Sequence, residues 1–118
     1  MNRWPNFTEK DFRWATPTCA LSDMDPTFMD RLQTARDIAG VPFKVNSAYR
    51  SVDWEKYKNR SGNSMHCLGR AIDISCRDSK QRHVILNALL QAGFNGIGIG
   101  RTFIHADDRG DKMVWLYD

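Results

Sequence analysis

The run Arg70-Ala71-Ile72-Asp73-Ile74-Ser75-Cys76 restricts the fold of this chain more than any other stretch. It alternates as a strand does, with Ile72 and Ile74 on one face and Ala71, Asp73 and Ser75 on the other. The oily face has to lie on a core, which leaves the face carrying Asp73 for polar chemistry. His66 precedes it closely in Ser64-Met65-His66-Cys67-Leu68-Gly69, so an imidazole and a carboxylate arrive together. The segment Phe103-Ile104-His105-Ala106-Asp107 offers the same groups in reverse order, two residues apart on a strand and therefore on one face.

Zn²⁺ takes imidazole and carboxylate at about 2.0–2.2 Å, and its catalytic sites usually keep three protein ligands and one water. His66, Asp73 and His105 meet that count and are expected to hold one ion with a position open for water. Such an ion polarises a carbonyl and lowers the pKa of its water toward ~7, while a nearby carboxylate takes the proton. Asp107 is the candidate for that carboxylate. Arg50, at the end of the alternating run Phe43–Tyr49, fits a third role: gripping a substrate carboxylate bidentately or supporting an oxyanion. Both imidazoles must be neutral to bind metal, so affinity is expected to fall below roughly pH 6.5.

The rest of the chain reads as punctuated helices and strands. Thr8 and Asp11 mark a short capped helix, and Asp25-Pro26 starts a longer one with Phe28, Leu32, Ala35 and Ala39 on one face before Gly40. Ser51 to Asn63 is polar, with a short helix and then a Ser-Gly-Asn turn. Asp78-Ser79 opens a helix whose apolar density from Val84 to Ala92 implies burial, and Gly93 stops it. In Gly96-Ile97-Gly98-Ile99-Gly100 one strand face is apolar and the other has no side chains, so something approaches that bare face closely. Phe103–Asp107 and Met113–Tyr117 are expected as consecutive strands joined by a turn at Asp108-Arg109-Gly110-Asp111. The fold class is α+β: a small, mainly antiparallel sheet with helices packed on one side.

At 118 residues the chain is expected to be one domain, 1–118, able to bury roughly two-thirds of its unfolded surface. A net charge of +3 suits an anionic partner such as a cell wall and falls short of a nucleic-acid footprint. The amino terminus lacks the apolar core of a signal peptide and no run approaches the ~20 apolar residues of a membrane span, so a cytoplasmic protein without membrane contact is expected. Cys19, Cys67 and Cys76 are odd in number without C-x-x-C spacing, which predicts reduced thiols. A monomer is the default expectation.

Ser47-Ala48-Tyr49-Arg50-Ser51, then Ser64-x-His66-x-x-Gly69-x-Ala71-x-Asp73, then Gly96-Ile97-Gly98 leading to His105-Ala106-Asp107 and a late Trp115, resemble the zinc D-Ala-D-Ala carboxypeptidase family. That family belongs to a wider group with lysostaphin-type peptidases and the hedgehog signalling domain. The resemblance runs from about Phe7 to Tyr117 and implies a Zn²⁺ peptidase of peptidoglycan stem peptides. His66, Asp73 and His105 match its metal ligands and Arg50 its substrate-binding arginine, and Ser64, at the head of the first histidine motif, is expected to bind substrate with Arg50. The small size and missing signal peptide look like its bacteriophage branch, whose endolysins wait in the host cytoplasm until the membrane is breached. Better-known members place an acidic residue three positions before the last histidine. Thr102 stands there in this chain, which moves the expected base to Asp107, with Asp108 as the fallback.

Blander readings compete at each position. His66 with Asp73, or His105 with Asp107, taken alone, would be ordinary hydrogen-bonded pairs, and Asp107 has a second reading as the group that orients a ligand histidine. His83, among Gln81, Arg82 and Lys80, is expected to be exposed on its helix, and Cys67 to be a buried thiol. The basic and aromatic run Trp54–Arg60 is interrupted by Glu55, which favours a solvated cleft-lining loop over a nucleic-acid platform. The competing functions are a non-catalytic binding module of the same fold and a structural zinc protein using the three cysteines with His66.

Overall fold

Helix starts and stops fall where the side chains place them. In the computed structural model, which describes residues 3–117, α1 spans Glu9–Arg13, α2 Pro26–Ala39, α3 Val52–Tyr57 and α4 Ser79–Gln91. Met1, Asn2 and Asp118 of the expected domain lie outside the described residues. The Asp25 carboxylate accepts the Phe28 N–H at 2.9 Å to start α2, and Gly40 ends it in the left-handed region with φ of 67°. Asp78 caps α4 in the same way, accepting from the Gln81 N–H at 2.8 Å. At α1 the Thr8 N–H donates to the Asp11 carboxylate at 2.8 Å, as the sequence implies.

Five strands, β1 Val45–Ser47, β2 Ala71–Ser75, β3 Gly96–Ile99, β4 Phe103–Asp107 and β5 Met113–Leu116, form one sheet in the order β1-β2-β4-β3-β5. Its pairings are antiparallel except β3 with β5, which is parallel. β5 therefore does not pair with β4 across the turn after Asp107. Both edges of β4 are filled, by β2 and β3, so the chain crosses to the outer edge of β3. Asn95 pins the crossing: its Nδ2 donates to the Arg109 carbonyl at 2.8 Å and its own carbonyl accepts the Met113 N–H at 2.9 Å. β1 is shorter than the alternating run predicts because its pairing with β2 shifts register between Val45 and Ser47.

The core lies between one face of the sheet and the helices. Ile72, Ile74, Ile97 and Ile104 from the strands join Phe28, Leu32, Ile85 and Leu89 in one fully buried cluster. Each such side chain contributes about 1.5–3 kcal/mol relative to exposure, so this layer is the main drive to fold. α4 turns out to be amphipathic: Ile85, Ala88 and Leu89 are buried while Leu90 is 51% exposed and His83 lies outside. The architecture is a single-domain α+β fold. No described helix is long and apolar enough to cross a membrane. The three cysteines are free thiols, and Cys67 is only partly covered, against the expected burial.

Candidate metal centre

Strand register builds the site. Ser47, Asp73, His105, Gly98 and Trp115 stand opposite one another across the five strands, in one row on the face turned away from the helices. Asp73 and His105 are direct partners, and their facing atoms Oδ1 and Nδ1 lie 2.9 Å apart. His66 reaches the row from a 3-10 turn, Met65–Leu68. Its Nδ1 lies 2.6 Å from the Ala48 carbonyl, which requires the proton on that nitrogen and turns Nε2 toward Asp73 Oδ1 at 3.5 Å. The Arg50 N–H, donating to the His66 carbonyl at 3.2 Å, ties the turn to the end of β1.

Donor atoms of His66, Asp73 and His105 lie within 4.8 Å of one another, the one group of this kind among the described residues. A tetrahedron with metal–ligand bonds of about 2.0–2.1 Å has edges of about 3.3 Å, so separations of 2.9 and 3.5 Å need little adjustment. Both imidazoles are buried, at 3% and 5% exposure, which shields the site from competing water. The donor set fits Zn²⁺. The three cysteines do not join such a group.

Charge in the metal-free site is organised around His105. Burial alone would depress its pKa, but hydrogen bonds to Asp107 from Nε2, at 2.6 Å, and to Asp73 from Nδ1 raise it above the usual imidazole value. Burial would conversely raise Asp73, and hydrogen bonds with His105 and His66 hold its carboxyl well below the ordinary range. Asp107 is depressed too: the Arg109 guanidinium and His105 outweigh its burial.

Asp107, expected as the proton acceptor, is placed behind His105, on the nitrogen turned away from Asp73. It is fully buried and accepts from Arg109 Nε at 2.8 Å, Nη2 at 2.7 Å and the backbone N–H at 3.2 Å. The fallback, Asp108, pairs with Arg70 Nε at 2.8 Å. The bare face of β3 is filled from within the molecule. A Cβ on Gly96 would collide with the Asp107 carboxylate and Arg109, and one on Gly98 would lie 2.6 Å from Trp115 Nε1. Trp115 is thereby free to lean over the site, its ring centre 5.3 Å from that of His105, with the Arg109 guanidinium 4.6 Å above it.

The opposite wall is made by loop and α3. Arg50 is 9% exposed and held by three groups: Ser47 Oγ accepts from Nε at 3.1 Å, Asp73 Oδ2 from Nη2 at 3.3 Å, and Glu55 Oε2 lies 3.5 Å from Nη1. The Ser64 hydroxyl donates to Glu55 Oε2 at 2.5 Å, so the group expected to meet substrate has its proton committed to a neighbour. A cleft of about 760 Å³ opens between the walls, with Phe103, Trp115 and Tyr117 on one side and Arg60 and Asn63 at the other rim. Trp54 lies under Arg50 and Arg60, at 5.6 and 5.7 Å.

Two residues of this site are not singled out by the sequence patterns. Arg109 reads there as part of a turn, and Glu55 as a charge breaking up a basic run. The signal for Arg109 was its spacing of two from Asp107 at a strand end. Glu55 gave none, since a helix of six residues has no readable face.

A comparison with curated proteins returned no match. A family model described as Peptidase M15 matches residues 6–107, a span that holds both histidines, Asp73, Arg50 and Asp107. The chain belongs to the Peptidase M15 family, a family of metallopeptidases.

Proposed function

We propose that this chain is a zinc-dependent peptidase that hydrolyses amide bonds in bacterial peptidoglycan stem peptides, of the phage endolysin type. The observation that carries the reading is the convergence of His66, Asp73 and His105 at the floor of an open cleft, with Arg50 beside Asp73. A bound Zn²⁺ would supply a Lewis acid for the scissile carbonyl and an acidified water. His66 is held to one tautomer by Ala48, and Asp107 holds His105 by its far nitrogen; that orienting role, rather than proton transfer, is the one its surroundings support. Arg50 lines the cleft, and its guanidinium has two protons beyond those directed at Ser47, Asp73 and Glu55, which makes it a donor for a substrate carboxylate or amide oxygen. The aromatic wall of Phe103, Trp115 and Tyr117 gives the peptide an apolar surface and thins the water around the site.

Mass spectrometry of purified peptidoglycan digested with and without a chelator tests this. Chelator-sensitive fragments are expected, and their masses distinguish removal of a terminal D-Ala from a cut inside the stem, such as L-Ala–D-Glu. A lytic role favours the internal cut, because trimming leaves cross-links intact. Metal-loaded protein that releases no fragment would instead support the binding module of the same fold. One observation favours that second reading: the carboxylate of Asp107 is fully engaged by His105 and Arg109. Action on the wall after release from the host cytoplasm, as a monomer, completes the proposal.

A further inference from the structure

Glu55 is a charged side chain buried to 1% exposure, and none of the chemistry above uses it. Burying a carboxylate costs several kcal/mol unless its surroundings compensate, and here they do so only in part. Oε2 accepts from Ser64 and faces Arg50, whereas Oε1 has no partner at hydrogen-bonding geometry; the Cys67 thiol is a further polar neighbour of the carboxylate. The group is nevertheless ionised in ordinary conditions. Burial pushes its pKa up, but Ser64, Cys67 and Arg50 together bring it below the usual range.

Its place in the row of charges gives it a task. Arg50 sits between two carboxylates, Glu55 on Nη1 and Asp73 on Nη2. A guanidinium on the outer oxygen of a metal-ligating carboxylate draws electron density from it and repels a dication nearby. A second carboxylate on the far side of that guanidinium offsets both effects. With the histidines neutral, Asp73, Asp107 and Glu55 oppose Arg50 and Arg109, leaving one negative charge to receive a divalent ion. Without Glu55 the four charges that remain in these pairs cancel. Little water screens the exchange, since both Glu55 and Arg50 are buried.

We infer that Glu55 is a positioning residue for the metal centre, which by neutralising Arg50 keeps Asp73 a strong ligand and sets the site's affinity for a divalent cation. The inference rests on the metal reading of His66, Asp73 and His105, and its test separates the two. Zn²⁺ affinity is measured by competition with a chromogenic chelator for the parent, Glu55→Gln, Glu55→Asp, and the double variant Arg50→Gln/Glu55→Gln, with thermal melts of each metal-free protein. Glu55→Gln is expected to bind about tenfold more weakly, at the lower end for outer partners of metal ligands. Glu55→Asp, which keeps the charge, and the double variant, which removes both charges together, are expected to stay within about threefold of the parent. Parent affinity in Glu55→Gln overturns the inference, as does an equal loss in Glu55→Asp. If Glu55→Gln does not fold, the double variant decides: a loss of about tenfold or more there overturns the charge-balance account. A parent that binds no metal sinks the proposed function itself.

Discussion

The two walls of the cleft hold their residues by different means. On the sheet side, Asp73, His105, Asp107 and Trp115 are placed by strand register, and Gly98 is shaped to let the aromatic ring approach. On the loop side, His66, Arg50 and Ser64 are placed by individual hydrogen bonds, to Ala48, Ser47 and Glu55. Register is cooperative with the whole fold, so a sheet residue is positioned at no separate cost. A loop residue needs an anchor of its own, and each anchor here is a buried polar group. Damage to the sheet wall should therefore cost stability and metal together, whereas damage to the loop wall should cost mainly metal.

The largest effect comes from removing a ligand from each wall. His105→Ala and His66→Ala are both expected to lower Zn²⁺ affinity by more than about 10²-fold, beyond the range for outer partners, and to abolish hydrolysis. Only His105→Ala should also lower the melting temperature of the metal-free protein, because it strips a partner from Asp73 and from the buried Asp107. Metal content by atomic emission and melts of both apo variants check this; equal melting losses would erase the distinction between the walls.

Asp107→Asn comes next and decides what that carboxylate does. As the group orienting His105 it should cost about 10–100-fold in metal affinity. A variant that keeps the parent's affinity and loses turnover by orders of magnitude would return Asp107 to the role of base.

The difference between the walls also explains what the sequence disclosed. Alternation in Ala71–Ser75 and Phe103–Asp107 made the sheet ligands legible, because period-two patterning specifies a face directly. The glycines at 96 and 98 announced a close approach without naming the visitor, since Trp115 and Asp107 reach them only through tertiary pairing. The position of β5 was not legible: nothing local says that both edges of β4 are already occupied. Glu55 was hidden for a related reason. Its burial follows from the return of the chain at Ser64, and no propensity or spacing encodes that contact.

A smaller effect is expected from Gly98→Ala. The new methyl would meet Trp115 Nε1 at 2.6 Å and Tyr117 Cε2 at 2.5 Å, two rings that can shift only by moving the edge of the sheet. Overpacking of this sort costs about 1–3 kcal/mol, and chemical denaturation of the metal-free protein measures it. Because the atoms nearest to that methyl belong to Trp115 and Tyr117, which line the cleft, and not to a metal ligand, KM should rise and metal content should stay. Loss of metal instead would show that the aromatic ring also supports His105.

The mildest perturbation is pH, and it divides the residues of the sheet wall by sign. His105 has a raised pKa in the metal-free fold, so its contribution to stability is fully present below the unfolded value of 6.5 and is lost as pH rises through the folded one. Asp73 and Asp107 are depressed, so theirs is present above 3.8 and is lost as pH falls through their folded values. Metal binding runs the other way on the alkaline side, since the ion needs the nitrogen that the proton holds on His105. Affinity should thus begin to fall at a pH above 6.5 rather than below it, by at most about tenfold per unit for the one proton displaced. Melting curves with and without Zn²⁺ should diverge as pH rises past that point, the metal-free protein weakening while the loaded one gains. Parallel curves would mean that His105 is already neutral in the free protein and that Asp107 does not hold it as an imidazolium.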